Sequence, residues 1–204
     1  MVLGLFGKPD PVDTPQALCD FMDAQAAFLV QKSLYEHARY TAGAWRQLFE
    51  EDVFRQAAER ARWGNYPTGL GHVAEMVLGV LRAETSNDAE DLSAGLEDCV
   101  RRVCARYLRP DAFPDDFWPD AAHNIGRRLR TAAARSVRPV HEIAGEGGRE
   151  FFERLPIHPN CRGDDPDYVL NNVRSNLLQA HETFLRRADR TALAASLCCL
   201  KAPS

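Results

Sequence analysis

The stretch SNDAEDLSAGLEDCVRRVCARYLRP, residues 86–110, decides the fold. Leu92, Leu96, Val100, Val103 and Leu108 recur at spacings of 4, 4, 3 and 5, which predicts one apolar helix face. Ser86-Asn87-Asp88 supplies side chains able to cap free helix amides, and Arg109-Pro110 stops the helix. Working backward, Val73, Val77, Leu78 and Leu81 predict a helix over 70–83. Before it, Gly64-Asn65-Tyr66-Pro67-Thr68-Gly69 reads as a turn or a kink, because proline lacks an amide hydrogen and crowds the preceding turn. Glu50-Glu51-Asp52 opens the segment leading to that break, with three acids facing the positive helix end. Asp13-Thr14-Pro15 opens a still earlier helix running to about Tyr40.

Working forward, residues 110–119 form a proline- and aromatic-rich connector. Helices are then expected over 119–137, 139–154, 166–188 and 193–200. The glycines at 145, 147 and 148 weaken the middle of the second of these, and Leu155 to Asp167 is the longest irregular stretch. No segment alternates apolar and polar residues as a strand would. The expectation is an all-α, single-domain bundle of six to eight helices. Residues 1–12 would be an N-terminal extension and 13–204 the helical domain.

The 204 residues are ample for a buried core, and 45% apolar with 26% charged residues excludes collagen-like, disordered and disulfide-miniprotein classes. The net charge of −4 is unevenly placed. Residues 1–102 carry 10 basic and 16 acidic side chains, and residues 103–204 carry 15 and 13. Of the basic residues, 22 are Arg and 3 are Lys. Six scattered cysteines without a C-x-x-C pair exclude a zinc ribbon, a thioredoxin motif and covalent haem attachment. They point to a reducing, cytoplasmic setting. So do an N-terminus without signal-peptide features and a longest apolar run, Met76 to Leu81, far short of a membrane span.

The strongest surface signal is cationic. Arg127, Arg128, Arg130, Arg135 and Arg138 occur with no acid among them between Asp120 and Glu142. At 100° per residue they point to about 0°, 100°, 300°, 80° and 20°. Ile125, Leu129, Ala132 and Ala133 fall on the opposite side, so one helix is expected to carry an arginine face for anions. A solvated face neutralised by the acidic half of the chain is the plainer reading. Val2, Leu3, Leu5 and Phe6 could add a docking or peripheral membrane contact, too short for stable anchoring alone.

Catalytic signals are sparse. The loop from His158 to Asp165 gathers His158, Asn160, Cys161 and Asp164, a thiol and an imidazole beside Arg162 that could act together if the fold joins them. The same acids would serve as caps of the following helix. His72 and Glu75 share a helix face at i, i+3, as a metal or haem site would need, but without a partner pair. Gly69-x-Gly71-x-x-Ala74 lacks the strand that a dinucleotide fingerprint requires and reads as close helix packing. Neither a G-x-S-x-G nor an H-E-x-x-H motif occurs.

The stretches LFGKPDP (5–11), QKSLY (31–35) and LPIHPNCRGDDPDYVLNNVR (155–174) together resemble a family of uncharacterised bacterial proteins, some labelled esterase. That resemblance implies ester hydrolysis and assigns no residue to it. The expected function is therefore a cytoplasmic helical binding or accessory protein. It would engage a protein partner or anionic surface, without a cofactor and without specific nucleic-acid binding. The rivals are a hydrolase with a nonstandard site and a helical haem or metal carrier.

Overall fold

The computed structural model describes residues 10–42, 52–84, 89–145, 148–156 and 166–199. These form eight helices: α1 (Pro15–Ala42), α2 (Asp52–Glu84), α3 (Ala89–Cys104), α4 (Phe117–Ala133), α5 (Val140–Ile143), α6 (Gly148–Glu153), α7 (Pro166–Arg187) and α8 (Arg190–Cys199). No strand occurs among the described residues, and the fold is an all-α bundle.

The bundle is organised around α2, which packs against α1, α3, α4, α5, α7 and α8. Every residue from Gly69 to Leu78 is buried, so this part of α2 has no solvent face. Small residues permit the crowding. A side chain at Gly69 would reach Val30 Cγ2 at 3.0 Å, and one at Gly71 would meet Arg128 and Ile125. Pro67 does not divide the segment as expected; it lies inside α2. One turn before it, the Gly64 carbonyl accepts a hydrogen bond from Arg154 Nη1 at 3.0 Å, a donor from the turn after α6, next to the Trp63 carbonyl that proline leaves without its amide partner.

From Ala89 to Cys104 the opening stretch folds as read, while its capping residues Ser86, Asn87 and Asp88 lie outside the described residues. Leu92, Leu96, Val100 and Val103 are all buried, but Leu108 is 93% exposed. A step of five residues turns about 140° away from the face, and the chain has already left the helix. The Leu108 carbonyl instead accepts the Trp118 indole N–H at 3.2 Å. The other correction concerns the arginine segment. The helix expected over 119–137 ends at Ala133, and 134–139 is a connector that leaves α4 through a last helical turn at Ala134. Arg82 Nη1 donates to the carbonyls of Ala132 and Arg135, at 2.8 and 2.9 Å, and so occupies the end of α4. Ile125, Leu129, Ala132 and Ala133 are buried, in line with the expected apolar side.

The segment preceding α1 is tied to the domain. Val12 is buried, its amide donates to the Arg187 carbonyl, and its carbonyl accepts from Asp189 N–H. Cys19, Cys99, Cys104, Cys198 and Cys199 are free thiols, the first three buried, while Cys161 lies outside the described residues.

Two glycines give opposite expectations. At Gly95, on α3, a Cβ would lie 2.7 Å from the Leu197 carbonyl oxygen and 2.8 Å from Leu197 Cβ. Those atoms belong to or adjoin the α8 backbone, so α8 must shift. Gly95→Ala should destabilise by about 1–3 kcal/mol despite its better helix propensity. At Gly126, on α4, the obstacle at 2.8 Å is the Glu97 carboxylate, the far end of a flexible side chain. Gly126→Ala should be neutral or stabilising by up to about 1 kcal/mol. Urea unfolding of both variants checks the pair; a Gly95→Ala protein as stable as the parent would contradict the close α3–α8 approach.

Candidate functional site

One face of α4 meets α2 across an open cleft of about 800 Å³. Phe117, Ala121, Asn124, Arg128 and Thr131 line it at spacings of 4, 3, 4 and 3, as residues on one helix face do. The α2 wall is low because Gly64, Pro67, Thr68 and Gly71 are small there. Glu150 and Arg154 close one side. The two helices run alongside each other. Gly64 lies near Phe113, Gly71 near Ile125 and Arg128, and Arg82 near the carbonyls of Ala132 and Arg135. The cleft therefore has two ends. Phe117, Pro114, Glu150 and Arg154 mark one, and Arg127, Arg128, Thr131 and Arg135 mark the other.

The cationic end is built on Glu75, which is 4% exposed on α2. Its Oε2 accepts Arg128 Nε at 2.6 Å. Its Oε1 accepts Arg135 Nη2 at 3.0 Å and Arg138 Nη2 at 2.6 Å. Burial pushes the Glu75 carboxyl up, but Arg128 and Arg138 more than offset this and hold it below the ordinary glutamate range. Arg128 is fixed further by donating through Nη2 to the Ile143 carbonyl at 3.2 Å. Three guanidiniums that sequence spacing placed on a helix surface are thus gathered by one buried carboxylate, two of them from beyond the helix end.

The other two arginines separate. Arg130 pairs with Glu97 on α3 and faces away from the cleft lining. Arg127 is exposed on the cleft rim, and its Nη2 donates to Asn124 Oδ1 at 3.2 Å. The structure therefore brings Arg127, Arg128 and Arg135 to one cleft and sets Arg138 behind Glu75. Asn124, Thr131, Phe117 and Arg154 had not been singled out from the sequence. The 4-3-4-3 spacing on α4 was the signal for the first three; Arg154 comes from a distant turn and carries no such signal.

His72 is fully buried and stacks on Phe151 with ring centroids 6.2 Å apart, while the Glu75 carboxylate is held by arginines. Among the described residues there is no group of three or more His, Cys, Asp or Glu that could hold a metal ion. His158, Cys161 and Asp164 lie outside the described residues, as do Val2, Leu3, Leu5 and Phe6. No described helix is long and apolar enough to cross a membrane.

A second polar centre joins α1, α2 and the turn after α3. Asp23 Oδ1 accepts both the Tyr66 and the Tyr107 hydroxyls at 2.5 Å, and Oδ2 accepts Arg106 Nη1 at 3.0 Å. Burial, then the Asp23 carboxylate, pushes the Tyr66 phenol up, so it stays protonated as a donor. Trp63, Tyr66, Tyr107 and Trp118 pack ring on ring around it, at centroid separations of 5.0 to 5.9 Å. That packing makes it a structural centre. No family model, curated protein or solved structure matches this chain.

Proposed function

We propose that the protein is a cytoplasmic binding protein whose α2–α4 cleft takes a small anionic ligand. The observation that carries this reading is the convergence of Arg127, Arg128 and Arg135 on one concave site, two of them oriented by a buried carboxylate. Guanidinium groups present planar forks of donors that fit oxyanions. Glu75 fixes the positions of the Arg128 and Arg135 guanidiniums beforehand, which lowers the ordering cost of binding. The concavity favours a molecule or a projecting group over a flat charged surface. Buried free thiols support a reducing compartment.

The test is a nuclear magnetic resonance titration with inorganic phosphate, sulfate and citrate. Binding should shift the amides of Asn124 to Thr131 and Arg135 together. The charge-reversal variant must be Arg127→Glu, because Arg128 and Arg135 also hold Glu75 and their reversal would set two carboxylates together. Loss of one charge-assisted contact is worth about 1.5–3 kcal/mol, so Arg127→Glu should weaken binding by at least about tenfold while preserving the fold. Unchanged affinity in this variant, or shifts scattered over the surface, would overturn the reading.

A further inference from the structure

The cleft's two ends differ in chemistry, and that difference narrows the ligand. Resting on the anion-binding reading above, we infer that the ligand is an organic phosphomonoester. Its phosphoryl group would lie at the Arg127–Arg128–Arg135 end and its apolar body along α4 toward Phe117.

Three observations converge. The cationic end presents three guanidiniums from different chain positions, Arg127 and Arg128 from α4 and Arg135 from the connector after it. A planar carboxylate has two oxygens and is satisfied by a single fork; a tetrahedral phosphoryl group has three terminal oxygens and can accept from Arg127 together with single N–H groups of neighbouring guanidiniums whose other donors hold Glu75. The opposite end offers apolar surface where α4 begins, from Phe117, Pro114 and Pro67, and Arg154 there is taken up by Glu150 and the Gly64 carbonyl. Phe117 lies ten residues before Arg127, about 15 Å of helix axis, which a bare phosphate cannot span. Finally, Asp120 also lines the cleft, seven residues or about 10 Å of helix before Arg127, whereas Glu150 is neutralised by Arg154. The Asp120 carboxylate opposes a second anionic group on the ligand's body. One charged end and one apolar body is the combination these walls accept.

The step is binding alone, with no bond made or broken. The probes are 1-naphthyl phosphate, inorganic phosphate and 1-naphthalenesulfonate, titrated into the full chain at pH 7.5 by calorimetry. 1-Naphthyl phosphate should bind at least tenfold more tightly than inorganic phosphate, because the ring adds apolar contact. It should also bind at least tenfold more tightly than 1-naphthalenesulfonate, a monoanion of similar shape. Nuclear Overhauser contacts should connect the naphthyl protons to the Phe117 ring in the unaltered protein, a readout that does not depend on a variant folding. Phe117→Leu should lessen the advantage of naphthyl phosphate and leave inorganic phosphate unaffected.

Equal affinity for the sulfonate would overturn the phosphoryl assignment. Naphthyl contacts away from Phe117, or naphthyl phosphate no tighter than inorganic phosphate, would overturn the placement of the body. Capture by vesicles containing phosphatidic acid without any binding of 1-naphthyl phosphate would overturn the small-molecule assignment in favour of a membrane surface. These failures are distinguishable from failure of the parent reading, in which none of phosphate, sulfate and citrate shifts the α4 amides.

Discussion

Glu75→Gln should lower the melting temperature by about 10 °C. The carboxylate is buried and accepts from Arg128, Arg135 and Arg138. Removing one partner of a buried ion pair typically costs about 3–5 kcal/mol, because the remaining charges lose their compensation. For a chain of this length each kcal/mol moves the transition by about 2–4 °C. Arg130→Ala is the contrasting variant. Its pair with Glu97 is half exposed, and such pairs contribute about 1 kcal/mol or less. Calorimetric scans of the two variants should therefore separate clearly. A Glu75→Gln protein melting with the parent would show that Glu75 does not hold the three arginines together.

The same residue sets a pH dependence. The folded-state value of Glu75 lies below its ordinary 4.5, so the folded protein releases this proton more readily than the unfolded chain. The resulting stabilisation is complete above the unfolded value and is lost as pH falls through the lower folded value. The stability difference between parent and Glu75→Gln should be constant from about pH 6 upward and should shrink as pH falls below the ordinary glutamate value of 4.5. A difference that persists unchanged to pH 3 would contradict an ionised Glu75 at this position. Anion affinity should fall together with stability, since Arg128 and Arg135 lose the group that orients them.

The all-α fold was legible because helix periodicity is local. The face Leu92–Leu96–Val100–Val103 needs only the 3.6-residue turn to be read, and it is buried as expected. Two errors share one origin: periodicity alone does not say where a helix stops. Leu108 lies past the end of α3, and Arg135 and Arg138 lie past the end of α4. Each end is accompanied by contacts distant in sequence, the Trp118 indole on Leu108 and the Arg82 guanidinium on the α4 carbonyls. The candidate site was legible only as an excess of arginine. Its organising residue, Glu75, lies 53 residues from Arg128. In the sequence it paired most naturally with His72 one turn away. Nothing local tells a carboxylate meant for a metal from one meant for guanidinium groups. Asp23, with its two tyrosines and Arg106, was invisible for the same reason: its partners come from α2 and the turn after α3.

Trp118→Ala should cost about 3–5 kcal/mol, comparable with Glu75→Gln but by a different route. Trp118 is only 7% exposed and packs against Trp63, Tyr66, Tyr107 and Phe117, with centroids 4.7 to 5.9 Å away. Its deletion removes a large apolar group and leaves a gap that rigid rings cannot collapse to fill. The loss should show as a lower urea midpoint with an unchanged slope, and it should not vary between pH 4 and 8. Trp118→Phe keeps most ring contacts and loses the hydrogen bond to Leu108, whose exposed position lets water replace it, so it should cost clearly less. Trp118 anchors the start of α4, and the Arg128–Glu75 pair anchors it ten residues later, about 15 Å along the axis. Sites that far apart without shared partners normally add within about 0.5 kcal/mol. The double variant Glu75→Gln/Trp118→Ala should obey that rule if the two anchors act independently. A shortfall beyond it would mean that freeing one end of α4 already loosens the other, and that the cleft wall moves as one body.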